Sequence, residues 1–124
     1  MSVTSIRCGH INVHHSGTSV ATLIERLRDE QGIFIYSIVE PYLGKRSTPV
    51  GFPKSTPVHY GAEQPRAALW TSLKQGFFPL ADLSDGDVVA GIVETKKGKT
   101  VVVCGPHTLV LAAYHPVPRT LSYH

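Results

Sequence analysis

The apolar positions of the chain change period twice in its first third. Residues 4–13, TSIRCGHINV, read as a strand with buried positions on both faces, and the polar run HHSGTS follows. Val20, Leu23, Ile24 and Leu27 then fall at the i, i+3, i+4, i+7 spacing of one helical stripe. Thr18 or Ser19 is placed to cap this helix and Gly32 to stop it, with Arg26, Arg28, Asp29 and Glu30 on its other faces. Residues 33–39, IFIYSIV, are mostly β-branched or aromatic and predict a second, almost continuously apolar strand. A strand–helix–strand unit of this length makes two parallel neighbours connected right-handedly. Both carboxyl ends then open on one edge of the sheet, where open α/β sheets place their ligands. Asn12 stands near the end of the first strand and Glu40 directly after the second, so the two face one site.

From 41 to 66 the pattern breaks down. Prolines at 41, 49, 53, 57 and 65, with Gly44, Gly51 and Gly61 between them, predict a long functional or poorly ordered loop. Strands return at 67–73, 87–95, 100–104 and 108–114, and Lys96-Lys97-Gly98 reads as the turn of a β-hairpin. The fold class is therefore α/β, a single domain over residues 1–124. Its mixed β-sheet carries one βαβ unit followed by antiparallel strands. A helix covers one face of such a sheet, and the other apolar face stays open unless a second sheet packs on it. An open face predicts self-association or a partner chain.

Composition narrows the chemistry. At 42% hydrophobic residues the chain is globular rather than disordered, and no apolar stretch is long enough for a membrane span. The first residues lack a signal-peptide pattern, which predicts an intracellular location, cytoplasmic or nuclear. Cys8 and Cys104 read as reduced core thiols, with a disulfide as the alternative. The formal charge of +3 permits a polyanion partner, and the basic groups gather at Arg26 and Arg28, Lys45 and Arg46, and Lys96, Lys97 and Lys99. Taken alone, each group reads as a solvated face or turn tip. Cys8, His10, Asn12 and His14 would share one strand face, but their spacing matches no strong zinc pattern, and the histidines read as structural or solvated. No G-x-S-x-G elbow and no Gly-rich phosphate loop occurs.

A carboxylate after a buried strand can simply begin a turn, as Pro41 after Glu40 would allow. It can also hold a hard cation such as Mg²⁺, which takes one or two protein carboxylates and fills its shell with water and phosphate oxygens. In their order, "GHINVHHSGTSVATLIERL", "IVEPYLGK", "PRAALW", "LSDGDVVAGIV" and "LVLAAYHP" resemble the N-terminal half of the endonuclease domain of non-LTR retrotransposons. That domain belongs to the endonuclease/exonuclease/phosphatase superfamily and accompanies a reverse transcriptase. The resemblance covers nearly the whole chain. It implies half of a four-layered sandwich, a DNA partner, Mg²⁺ as cofactor and phosphodiester hydrolysis. It implies that Asn12 sits beside the metal and the scissile phosphate, that Glu40 binds the metal, and that Tyr114 contacts the phosphate. Lys45, Arg46 and Arg66 are the basic candidates for the DNA backbone. Arg66 and Asp87 also match residues frequent in the retrotransposon branch.

The departures point the other way. Val39 and His10 stand where the family usually carries glutamines, which alters the groups around the metal without removing its ligand. Asn12 is the sole asparagine, so the family's Asp-x-Asn segment is absent from these 124 residues, as is its C-terminal Asp-His pair. The expectation is a partial domain without a water-activating base, inactive by itself. The alternative is a non-catalytic module derived from such a domain that binds nucleic acid, a second copy of itself or a missing C-terminal half.

Overall fold

The computed structural model describes residues 6–28, 32–73, 76–95 and 98–113. Strand β1 (Ile6–Asn12) leads through helix α1 (Gly17–Leu27) to β2 (Ile33–Val39). Then come β3 (Val58–His59), β4 (Ala67–Thr71), β5 (Phe77–Pro79), a 3-10 turn at Ala81–Leu83, β6 (Val89–Thr95), β7 (Gly98–Gly105) and β8 (Thr108–Ala113). The fold is mixed α/β, mostly strand, with two four-stranded sheets ordered β1-β2-β4-β3 and β5-β6-β7-β8. β1 and β2 pair in parallel from Ile6↔Ile33 to Asn12↔Val39, and the other strand pairs are antiparallel.

The single mixed sheet expected from the sequence is thus two sheets. β2 shows why its sequence is apolar throughout. Phe34, Tyr36 and Ile38 point to α1 and pack with Val20, Leu23, Ala68 and Trp70. Ile35 points the opposite way and packs, with Leu69, against Val89, Val93, Val102 and Cys104 of the second sheet. The face that a single sheet would leave bare is therefore covered by the chain itself, in three layers of helix, sheet and sheet. Burial pushes the Cys104 thiol up to about 12, so it stays protonated.

Four local expectations change. Ser16, not Thr18 or Ser19, caps α1: its backbone is extended and its Oγ accepts the Ser19 N–H at 3.2 Å. The helix ends at Leu27 rather than at Gly32, whose φ of 98° belongs to the approach to β2. β1 is an edge strand with Arg7, Cys8, His10 and Asn12 exposed, so it does not bury both faces and Cys8 is no core thiol. The 41–66 segment is not one irregular loop either. Leu43 bridges Pro49, Gln64 N–H reaches Ser47 O at 2.8 Å, and β3 adds to the sheet edge beside β4.

Gly9 shows how closely β1 lies on its neighbour. A Cβ there would overlap the Tyr36 ring, which Phe34 and Trp70 hold in place at centroid distances of 5.7 and 6.3 Å. Gly9→Ala is expected to lower the unfolding free energy by about 1–3 kcal/mol through overpacking, read as a lower urea midpoint.

Candidate functional site

Two backbone hydrogen bonds extend the β1–β2 alignment past the ends of the strands. Val13 N–H donates to Val39 O at 3.0 Å and His15 N–H to Glu40 O at 2.7 Å. Glu40 N–H in turn reaches Arg66 O at 3.0 Å, tying the start of β4 to the same edge. The turn these bonds hold is strained: His14, His15 and Glu40 have φ of 51°, 57° and 50°, a region L side chains seldom occupy. Such strain persists where the surroundings over-determine it, and it clusters at functional sites.

Asn12 and Glu40 do meet. Asn12 Nδ2 donates to Glu40 Oε2 at 3.3 Å, while Asn12 Oδ1 accepts the His14 N–H at 2.7 Å. Both bonds agree on one amide orientation, and in it Asn12 aims the carboxylate. The other carboxylate oxygen, Oε1, lies 3.9 Å from His14 Nδ1 and 3.8 Å from His15 Nε2. His15 Nδ1 is 3.1 Å from Pro41 O, which fixes its ring. The glutamate side chain is 43% exposed, open enough to accept a ligand.

Beside it lies a cleft of about 110 Å³ lined by Asn12, Val39, Glu40, Arg66, Pro106 and His107. Arg66 is exposed and keeps Nη1 3.5 Å from Asp87 Oδ1, a solvated pair worth little to stability. Lys45 and Arg46 sit elsewhere, exposed on a turn closed by Gly44 N–H to Thr48 O at 2.9 Å, and neither lines the cleft. Tyr114 lies outside the described residues.

His14 and His15, which the sequence reads as structural or solvated, stand beside Glu40, and His107 is a lining residue that the sequence does not single out. The first two follow Asn12 directly, but nothing in a His-His pair announces a left-handed backbone that turns both rings toward a carboxylate. Pro106-His107 reaches the cleft from the β7–β8 turn, a contact made only by the second sheet.

Among the described residues no group of three or more His, Cys, Asp or Glu side chains is arranged to hold a metal ion. A cation at Glu40 would have one protein carboxylate and draw its other oxygens from water and phosphate. That donor set fits hydrated Mg²⁺ and not a metal needing an all-protein cage. No family model matches the chain, and neither a curated protein nor a solved structure matches it significantly. No described helix is long and apolar enough to cross a membrane.

Proposed function

We propose that the chain is part of a Mg²⁺-dependent DNA endonuclease domain of the non-LTR retrotransposon type, binding DNA phosphate at the Glu40 cleft without cutting it unaided. The observation that carries this reading is the meeting of Asn12 and Glu40 at the carboxyl end of a parallel strand pair, with Arg66 beside them. Two facing sheets with a helix outside one of them correspond to three of the layers that a four-layered sandwich stacks, more than the single sheet and helix the resemblance implies. Mg²⁺ would be held by Glu40 and would neutralise charge on a bound phosphate. Asn12 orients the carboxylate, Arg66 offers a guanidinium to the backbone, and His14 and His15 stand beside the other carboxylate oxygen. The Asp-x-Asn segment is absent from these 124 residues and, among the described residues, one carboxylate lines the cleft, which favours binding over hydrolysis.

The test is fluorescence anisotropy of a labelled DNA duplex with Mg²⁺ or EDTA, beside plasmid nicking. Binding is expected to need Mg²⁺ and to weaken about 10–100-fold in Asn12→Ala, the loss typical when a residue orienting a metal ligand is removed. Binding indifferent to both EDTA and Asn12→Ala would sink the reading. Mg²⁺-dependent nicking abolished by Glu40→Gln would overturn its non-hydrolytic part.

A further inference from the structure

At the end of β2 remote from Glu40, on the helix side of the first sheet, lies a second cavity, of about 370 Å³. That is within the roughly 300–1,000 Å³ typical of small-molecule pockets. Phe34 and Trp70 form its aromatic wall, with ring centroids 4.6 Å apart and planes tilted by 59°, and Ile24, Leu27 and Pro53 close the apolar sides. Ser55, Thr56 and Ser72 complete the lining; the Ser72 hydroxyl is already engaged, accepting the Phe34 N–H at 2.9 Å and donating to Gly32 O at 3.3 Å, and Ser55 is exposed. The Thr56 backbone is satisfied, since its N–H donates to Pro53 O at 3.1 Å and its carbonyl accepts the Trp70 Nε1–H at 3.0 Å. Its hydroxyl is not: Oγ1 is buried without a hydrogen-bond partner. The oxygen is buried as it stands, so a ligand in the cavity would recruit it through a step of χ1 to another staggered position.

The rim decides the charge of the ligand. Arg28 lines it, and Glu25, whose Oε1 accepts from Arg28 Nη2 at 2.8 Å, brings a carboxylate to the same exposed rim, so the rim carries no net positive charge there. The carbonyl end of α1 lies here too, and its partial negative charge disfavours an anion. The walls favour a ring, because aromatic rings gain from tilted contacts beyond the area they bury. We infer that this cavity binds a small uncharged aromatic molecule carrying one hydroxyl group, of the phenol or aryl-alcohol class, with Thr56 as its hydrogen-bond partner. The inference is independent of the Glu40 cleft.

Trp70 is the only tryptophan in the sequence, so its indole N–H gives one cross-peak in a ¹H–¹⁵N spectrum and reports from the cavity wall. The intact chain is titrated with p-cresol, toluene and p-toluate, three ligands with the same ring and methyl group. The expected result is a saturable shift of the Trp70 cross-peak with p-cresol, and binding about tenfold weaker for toluene, the equivalent of one unmade hydrogen bond. p-Toluate is expected to be weaker than p-cresol as well. Thr56→Val should erase the preference for p-cresol over toluene while leaving the urea midpoint unchanged or raised, because the hydroxyl it deletes has no partner in the free chain. No saturable shift, equal binding of p-cresol and toluene, or tightest binding of p-toluate would each overturn the inference. So would a Thr56→Val chain that keeps the preference. The comparison of the three ligands on the unaltered chain decides the matter even where the variant fails to fold.

Discussion

Trp70→Ala is expected to remove about 3–5 kcal/mol of stability, the range for deleting a buried large aromatic side chain. Trp70 is 2% exposed and touches three rings, those of Phe34, Phe52 and Tyr36, at centroid distances of 4.6, 5.2 and 6.3 Å. It also donates its indole N–H to Thr56 O, and that bond fastens the proline-rich segment to the sheet. The substitution therefore opens a void beside an existing cavity and strands a carbonyl. A domain of this size has a total stability of about 5–15 kcal/mol, so the variant should sit near its folding threshold. Urea denaturation followed by far-UV circular dichroism measures it. A loss below about 1 kcal/mol would mean that the 41–57 segment does not depend on this ring.

Glu40→Gly is expected to do the opposite to stability and more harm to binding. A φ of 50° at a residue with a side chain costs roughly 1–2 kcal/mol, which glycine avoids. Glycine gives back part of this through the greater freedom of its unfolded chain, about 0.4–1 kcal/mol. The backbone bonds of Glu40, to Arg66 O and from His15 N–H, survive the change. The side-chain bond that is lost, Asn12 Nδ2 to Oε2, is exposed and 3.3 Å long, so its loss subtracts little. A net gain of up to about 1 kcal/mol is expected in the urea midpoint, together with complete loss of Mg²⁺-dependent DNA binding. A less stable variant would show that the carboxylate serves the fold and not a ligand.

The parallel unit could be read in the sequence because each of its parts carries its own period: a helical stripe at Val20, Leu23, Ile24 and Leu27, then a strand too apolar to have a wet face. The position of Glu40 followed from connection geometry alone. The second sheet could not be read the same way. Alternation identifies β6, β7 and β8 as strands, but the same alternation suits an extension of the first sheet, and only the packing of Ile35 and Leu69 on Val93 and Val102 separates the two arrangements. β3 and β5, with two and three residues, are too short to leave a pattern, and β3 directly follows Pro57. The cap was misplaced because Ser16, Thr18 and Ser19 are all competent and the choice rests on which of them has an extended backbone. At the site, residue types pointed to Asn12 and Glu40, whereas the histidine rings reach the carboxylate through positive φ values that no glycine or asparagine advertises.

The two halves of the cleft stand on unequal ground. Glu40 follows β2, a strand walled in by side chains on both faces, while Asn12 ends β1, an edge strand paired on one side and largely wet, and His14 and His15 follow it. Edge elements with few buried contacts open at a smaller free energy than the core they rest on. The site therefore has a permanent wall and a part-time one: the carboxylate persists whenever the protein is folded, and its escort is present only while β1 is zipped to β2. A ligand that touches both walls would act as a stitch, and its affinity would include the work of keeping that seam closed.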